Sequence, residues 1–206
     1  VLSGNTLYGT ASHGGSAGYG AVFAVNPSGA GFTNLYSFTN GTDGAYPNAM
    51  ILSGNTLYGT ANAGGAGGGT VFKLNTDGTG LTILHTFTAL ASDGLAPYPD
   101  KTNSDGYAPL AGLILSGNTL YGTTSVGGAD SGTVFRLDTD GNNFTNLYSF
   151  SALHALSFFN SDGAQPHAGL TLSGNTLYGT ASAGGASYGV VFGINTDGTS
   201  FTNLHT

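Results

Sequence analysis

"LSGNTLYGT" occupies residues 2–10, and the same nine letters return unchanged at 52–60, 115–123 and 172–180. The intervals between the four copies are 50, 63 and 57 residues. A period of this length is typical of solenoids and propellers, in which one supersecondary unit is repeated along the chain. The stretch therefore predicts a repeat protein with four copies of one small structural unit.

Each unit contains four short runs rich in Leu, Val, Phe, Tyr and Thr, with turn residues between them. In the third unit the runs are 113–116, 119–124, 132–137 and 144–150, and they predict β-strands that we call A, B, C and D. The Ser-Gly-Asn of the repeated stretch predicts a tight A–B turn, and Thr-Asp-Gly-Thr at 76–79 predicts a C–D turn. With 37 glycines in 206 residues, no segment keeps the periodicity of a helix.

Four antiparallel strands, repeated four times, predict an all-β fold: a β-propeller with four four-stranded blades, one for each repeat. A β-solenoid is the alternative, but its coils are usually shorter and lack two hairpin turns per unit. The predicted propeller is a single domain over 1–206, with repeats at about 1–38, 48–87, 111–150 and 168–206.

The tyrosine and glycine of the repeated stretch have predicted packing roles. We expect the tyrosine to pack between blades and the glycine after it to let neighbouring sheets approach closely. The pairs are Tyr8 with Gly9, Tyr58 with Gly59, Tyr121 with Gly122, and Tyr178 with Gly179.

The charge of the chain is sparse and acidic, which excludes some partners. Three Lys and Arg residues stand against ten Asp, so we expect no nucleic acid partner, because phosphate binding needs clustered cations. No run of ~18 apolar residues and no signal peptide is present, so we expect no membrane insertion. The absence of Cys excludes disulfides and thiolate metal sites. A surface rich in Gly, Asn, Thr and Ser is more typical of a secreted or cell-surface protein than of a cytosolic one.

The unit carries further motifs in register after the shared stretch, including "GTVF", "NTDGT", "LYSF" and "DGAxPxAGL". With them it resembles the repeat of the GloVer-type tandem-repeat proteins of bacteria, which have a choice of surface anchors. The resemblance covers nearly the whole chain and implies an extracellular, propeller-like repeat region, with no particular activity or catalytic residues. The first unit lacks the "DGAxPxAG" lead-in of the others, so we expect an excerpt of a longer propeller and leave the oligomeric state open.

The connections between strands divide into a constant and a variable face. In a propeller the A–B and C–D turns share one face, and the B–C and D–A loops share the other. The D–A linkers, at about 39–49, 88–111 and 151–168, account for all of the unequal spacing between repeats. Binding sites usually lie on such variable loops over a constant scaffold.

Aromatic and histidine side chains mark the variable face. Seven of the 23 Tyr and Phe residues leave the repeated strand positions, and all seven fall in these loops. Exposed aromatic rings suit a glycan or protein ligand, although loop aromatics also fold inward as satellite cores. In a closed four-blade ring Tyr19 and Tyr188 would lie side by side. His85 and His205 replace a strand D tyrosine and are predicted to pack. The candidate ligand-binding residues are Tyr19, Tyr46, Tyr98, Tyr107, Phe158, Phe159, Tyr188, His13, His154 and His167.

Three aspartates precede strand A at equivalent places: Asp43, Asp105 and Asp162. One hypothesis is that they ring the channel mouth and bind a hard cation such as Ca²⁺ through oxygen ligands. The other is that each carboxylate caps backbone amides of its own turn. Apart from this candidate Ca²⁺ site, the sequence predicts no cofactor.

These features predict a non-catalytic extracellular module for surface display or for binding glycan or protein through the variable face. The first alternative is a polysaccharide hydrolase or lyase that uses Asp and His from the long linkers. The chain has no Glu or Cys and no close acid–base pair, so the sequence favours binding over catalysis. The second alternative is a structural or designed repeat scaffold without a ligand.

Overall fold

A computed structural model describes residues 1–92, 101–153, 160–185 and 188–206. Four antiparallel sheets follow one another along the chain, one for each repeat, and we call them blades 1 to 4. Every regular element in the described ranges is a strand, so none of them is an apolar helix that could span a membrane. The all-β propeller fold predicted from the repeat is confirmed.

The strands follow the predicted A to D pattern in each blade. They are β1 (Leu2–Ser3), β2 (Thr6–Ala11), β3 (Ala21–Val25) and β4 (Thr33–Ser37) in blade 1; β5 (Ala45–Pro47), β6 (Ile51–Ser53), β7 (Thr56–Ala63), β8 (Gly67–Asn75) and β9 (Thr82–Thr88) in blade 2; β10 (Ala91–Ser92) and β11 (Lys101–Thr102) between blades 2 and 3; β12 (Ile114–Ser116), β13 (Thr119–Thr124), β14 (Thr133–Asp138) and β15 (Thr145–Ser149) in blade 3; and β16 (Thr171–Ser173), β17 (Thr176–Ala181), β18 (Val190–Asn195) and β19 (Thr202–His205) in blade 4. The short strand β5 adds to the edge of β7, and β10 pairs with β11 as a separate hairpin.

Both predicted hairpin turns form, and glycine makes each of them possible. In the A–B turn of blade 2, Gly54 has φ 58°, a left-handed conformation that costs glycine little. In the C–D turn, Gly78 has φ 86° and the Asp77 carboxylate accepts hydrogen bonds from the amide and the hydroxyl of Thr79, at 2.9 and 2.6 Å. These turns are the same in blade after blade, so the register of every sheet is fixed at the constant face.

The hydrophobic core lies between blades, in three clusters that join blades 1 and 2, 2 and 3, and 3 and 4. A phenylalanine at the end of strand D meets a phenylalanine of strand C in the next blade edge to face. The ring centroids are 5.1 Å apart for Phe38 and Phe72, 5.3 Å for Phe87 and Phe135, and 5.3 Å for Phe150 and Phe192. Tyr8, Tyr58 and Tyr121 belong to these clusters, as the prediction that they pack between blades requires.

The glycine of the repeated stretch makes room for a ring of its own blade, which corrects the sequence prediction. A Cβ atom built on Gly122 would lie 2.5 Å from Cζ of Phe135, the residue paired with it on the neighbouring strand. The other three copies have the same arrangement. The glycine therefore lets a buried aromatic ring lie flat across the sheet, and the close approach is within one blade.

The four blades form an open arc. Leu7 of blade 1 is 37% exposed and Tyr178 of blade 4 is 38% exposed, whereas their equivalents in blades 2 and 3 are buried. In the described residues, blade 4 and blade 1 therefore share no hydrophobic cluster of the kind that joins the other neighbours.

Candidate binding face

The B–C loops and the D–A linkers lie together at one end of the blades. Tyr107, in a linker, pairs with Val126 at the end of strand B, and Ala164 pairs with Ala183 in the same way. In blade 2 this pairing extends into β5 on β7. The variable connections therefore share one face, where the sequence analysis expected a binding site.

Each linker ends in a five-residue segment that we call the lead-in: residues 43–47, 105–109 and 162–166. It has an aspartate at its first position and a proline at its last. The amide before the proline donates to a carbonyl in the B–C loop of the preceding blade: Tyr46 to Tyr19 at 2.8 Å, Ala108 to Gly68 at 2.9 Å, and Gln165 to Ser131 at 2.9 Å. These three donors have φ between 54° and 56°. Each lead-in thus pairs with its own blade and is bonded to the blade before it.

The lead-in aspartate binds the strand D end of the preceding blade. The Asp43 carboxylate accepts hydrogen bonds from the Tyr36 hydroxyl at 3.0 Å and from the Thr39 amide and hydroxyl at 2.8 and 2.6 Å. Asp105 accepts from His85 at 3.2 Å and from the Thr88 amide and hydroxyl at 3.0 and 2.5 Å.

Asp162 accepts hydrogen bonds from the Tyr148 hydroxyl at 2.8 Å, the Ser151 amide at 2.9 Å and the Ser151 hydroxyl. All three aspartates therefore cap the end of a strand, which is the second hypothesis drawn from the sequence.

The pKa values reflect these bonds. Burial acts to raise the pKa of Asp43, but the hydrogen bonds from Thr39 and Tyr36 outweigh it and hold the pKa below its ordinary value. The pKa of Asp105 is also lowered, because hydrogen bonds from His85 and Thr88 outweigh the effect of burial. Burial and the hydrogen bond to Asp43 raise the pKa of Tyr36 to about 12. Asp43 and Asp105 are thus ionised acceptors, and their partners are donors.

This use of the carboxylates does not support the predicted cation ring. The three aspartates lie in successive linkers, each bonded to a different blade. In the described ranges, no three His, Cys, Asp or Glu side chains are grouped so that they could bind a metal ion. In the described structure, the three carboxylates proposed as a Ca²⁺ site, Asp43, Asp105 and Asp162, thus act as three separate caps.

In each of the two long linkers, a hydrogen bond connects the residue at the start of the insertion to one at its end. The side-chain amide of Asn103 donates to the Thr88 carbonyl at 2.9 Å, and that of Asn160 donates to the Ser151 carbonyl at 2.6 Å. These bonds join the two ends of each insertion directly above strand D. Four predicted ligand-binding residues of the insertions lie outside the described residues: Tyr98, His154, Phe158 and Phe159.

Three of the other predicted residues come together in one aromatic group. The ring of Tyr46 lies 5.1 Å from that of His13 and 6.1 Å from that of Tyr19, measured between centroids. His13 is exposed, and the two tyrosines are half-buried. His13 also lies 3.1 Å from the Ser12 hydroxyl. We call His13, Tyr19 and Tyr46 the aromatic group; it presents ring faces and polar atoms on the variable face.

The remaining predicted residues are dispersed. Tyr107 is half-buried in its lead-in, and His167 is exposed beyond the third lead-in. Tyr188 is 94% exposed in the B–C loop of blade 4. Tyr19 and Tyr188 occupy equivalent positions in blades 1 and 4, but the open arc does not bring them side by side.

The sequence did not reveal two kinds of residue. One kind caps the lead-in aspartates: Thr39, Thr88 and Ser151. The other joins the two ends of each insertion: Asn103 and Asn160. A signal was present, because a Thr or Ser follows the last phenylalanine of each strand D, and an Asn precedes each lead-in by two or three residues. The unequal linker lengths, with sequence separations of 4, 17 and 11 between cap and aspartate, hid the correspondence.

Comparison with known proteins identifies the repeat. The family model of the Gloeobacter/Verrucomicrobia repeat matches residues 1–106 and again residues 98–206, so two tandem matches cover the chain. No curated protein sequence matches it.

The solved structures that resemble the chain are larger proteins. The structure of a nidogen/laminin complex matches with a TM-score of 0.58 and 15% identity over 98% of this chain and 61% of that one. A GH74 enzyme of Niastella koreensis matches with a TM-score of 0.55 and 19% identity, over 97% of this chain and 28% of the enzyme. An α-L-arabinofuranosidase of Clostridium thermocellum matches with a TM-score of 0.53 and 12% identity, over 98% of this chain and 69% of the enzyme. At these identities the likeness shows the fold alone, and this chain spans about three-fifths of the nidogen/laminin match.

Proposed function

Since this chain belongs to the Gloeobacter/Verrucomicrobia repeat family, we propose that it is a non-catalytic extracellular module that binds a glycan through its variable face. The family and the fold leave the ligand open, so the proposal depends on the chemistry of that face. It depends above all on the aromatic group, which lies where loops of blades 1 and 2 meet.

The aromatic group suits a sugar because its tilted rings offer both an apolar face and hydrogen-bonding atoms. Aromatic rings stack on the apolar faces of sugar rings, and hydroxyl and imidazole groups bind sugar hydroxyls. The backbone of Tyr46 is held in two ways: its amide donates a hydrogen bond to the Tyr19 carbonyl, and its neighbours Ala45 and Pro47 pair with strand β7. A ring on a fixed backbone loses little entropy on binding.

Two of the similar structures are glycoside-acting enzymes by name, which makes hydrolysis the natural alternative. Glycoside hydrolysis normally needs two carboxyl groups facing one another across the substrate. Asp105 and Asp162 instead each accept three hydrogen bonds from their own caps. Binding is therefore the function that these residues support better.

The experiment is a glycan array followed by calorimetry with the best glycan, using wild type and Tyr46→Ala. We expect Tyr46→Ala to weaken binding about tenfold, because loss of a stacked ring removes roughly 1–1.5 kcal/mol. Tyr46→Ala should fold normally, since Ala108 holds the equivalent position of the next lead-in with nearly the same φ.

Phe32→Ala is the matched control, because it removes a 65% exposed aromatic ring beside the C–D turn of blade 1, away from the variable face, and should leave affinity unchanged. Tyr46→Phe should keep most of it. An array without any bound glycan would contradict the proposal. Turnover of a polysaccharide that is lost in Asp105→Asn would favour the enzyme instead.

A further inference from the structure

The lead-in is held the same way at all three blade junctions, which defines a receptor site on each preceding blade. The receptor has a B–C loop carbonyl that accepts the lead-in amide, on Tyr19, Gly68 and Ser131. It has a glycine directly after that residue, against which the lead-in proline packs. Cβ atoms on Gly69 and Gly132 would each lie 2.9 Å from Cδ of that proline. It also has a strand D side chain that donates to the lead-in aspartate, on Tyr36, His85 and Tyr148.

Blade 4 carries the carbonyl, the glycine and the strand D side chain of this receptor, whereas the cap residue that follows strand D in blades 1 to 3 has no counterpart within residues 1–206. Tyr188 and Gly189 stand where Ser131 and Gly132 stand in blade 3, and Gly189 has the same left-handed backbone, with φ 91° against 100°. His205 stands where His85 stands in blade 2. A cavity of about 350 Å³ opens here, lined by residues 188–191 together with Thr180 and His205.

The receptor of blade 4 is uncovered, unlike the other three. Tyr188 is 94% exposed where Ser131 is 2% exposed, and Val191 is 38% exposed where its equivalents Val22, Val71 and Val134 are fully buried. His205 is exposed as well, whereas His85 is covered by Phe144 of the next blade, stacked at 3.7 Å. The apolar side chain of Val191 is therefore exposed to solvent at the same end of blade 4 as Tyr188 and His205.

We propose that this site on blade 4 binds the lead-in of another repeat unit of this family, an extended Asp-Gly-Ala-x-Pro segment that lies outside residues 1–206. The Tyr188 carbonyl accepts the amide before the proline, the proline covers Gly189, and the His205 ring donates to the aspartate. A second copy of this chain is not the occupant, because its own three lead-ins are bound within it.

The three internal junctions show which side chains can donate to the lead-in aspartate. The donor to the aspartate is a tyrosine hydroxyl in two of them and a histidine ring in the third, so the receptor accepts either group. A carboxylate only accepts hydrogen bonds, so a ring without a donor atom cannot replace them. His205→Tyr should therefore keep the site, and His205→Phe should weaken it.

The test uses the full chain and a capped synthetic peptide with the sequence of residues 160–171, which contains the third lead-in. Binding is followed by NMR chemical shifts and by anisotropy of a labelled peptide. We expect saturable binding with a Kd of ~1 mM or tighter and shifts centred on residues 188–191. His205→Phe should weaken binding about fivefold or more, since it removes a hydrogen bond to a charged group. His205→Tyr should bind as wild type does.

Two peptide variants and one protein variant complete the design. A peptide with Asn in place of the aspartate should bind weakly to wild type and lose little more on His205→Phe, because both changes remove the same bond. A scrambled peptide should not bind, and Ser28→Ala, in an exposed turn of blade 1, should leave binding unchanged. Equal binding of the scrambled peptide, or shifts away from blade 4, would overturn the proposal. So would wild-type self-association that buries this face and is lost in Leu7→Glu, since the occupant would then be a second copy.

Discussion

Replacing Gly179 by alanine should destabilise the protein, whereas the same replacement at Gly193, on the paired strand, should not. A Cβ atom on Gly179 would lie 2.5 Å from Cζ of Phe192 and 2.8 Å from Cδ2 of Leu170. Unstrained carbon atoms are about 3.5–4.0 Å apart, so the Phe192 ring would have to move by about 1 Å. That ring is fully buried and in contact with Phe150 and Phe201 at centroid distances of 5.3 and 5.6 Å.

The magnitude follows from these two environments. Overpacking a filled core costs about 1–3 kcal/mol. A Cβ atom on Gly193 would meet nothing closer than Cε1 of Tyr178, at 3.5 Å, which is ordinary contact. Removing a glycine from a position that alanine tolerates stabilises by about 0.4–1 kcal/mol through the unfolded chain. Because this gain is common to both variants it cancels, and we expect Gly179→Ala to be less stable than Gly193→Ala by about 1–3 kcal/mol.

Urea unfolding followed by circular dichroism measures this difference, and with a slope of about 2 kcal/mol/M the midpoints should differ by about 0.5 M or more. Adding Phe192→Leu should make Gly179→Ala much less costly, because the smaller side chain removes the clash; the coupling between the two sites should be about 1 kcal/mol. Equal stability of the two alanine variants would refute the claim that the glycine makes room for the ring.

Three further predictions concern the lead-in caps. The pKa values of Asp43 and Asp105 are lowered in the folded state, so their contribution to stability is present above about pH 4 and is lost as the pH falls further; Asp105→Asn should flatten part of this acid limb in thermal melts. The pKa of Tyr36 is raised to about 12, so its contribution is complete below its ordinary value of about 10 and is lost as the pH rises towards 12, a loss that should be absent in Tyr36→Phe. Because the three aspartates form separate caps, a chelator should leave the melting temperature unchanged, and a marked decrease would restore the cation site.

The fold could be predicted from the sequence because the repeated stretch carries local signals that agree with one another. Gly54 and Gly78 identify the two turns of a blade, and the runs between them have strand composition, so the existence of four strands needs no long-range information. Closure of the ring could not be predicted. It depends on the angle between neighbouring blades, which is set by packing across interfaces such as Phe87 on Phe135 and has no signature in a single unit.

The sequence could predict which face carries the candidate site, but it could not predict how the residues of that site are arranged. Departures from the repeat located the variable face and singled out His13, Tyr19 and Tyr46, since a residue that breaks a pattern is not required by it. Their mutual distances depend on how a linker folds back, which periodicity does not encode. The role of Asp43 was ambiguous for a related reason: a carboxylate can bind a cation or cap a strand, and only the positions of the donors at Thr39 and Tyr36 decide between them.

The contrast between constant hairpins and variable linkers has one physical origin. The inner hairpin lies between two neighbours: in blade 3, Leu120 is buried in the cluster with blade 2 and Tyr121 in the cluster with blade 4. A change there therefore disturbs packing that repeats around the arc. A linker needs only its cap and its lead-in. Increasing the sequence separation between cap and aspartate from 4 to 17 costs about 1.3 kcal/mol of loop-closure entropy. One or two hydrogen bonds to the charged carboxylate offset this cost. Insertions can therefore accumulate above strand D without disturbing the blades, and this is where we expect individual family members to differ most.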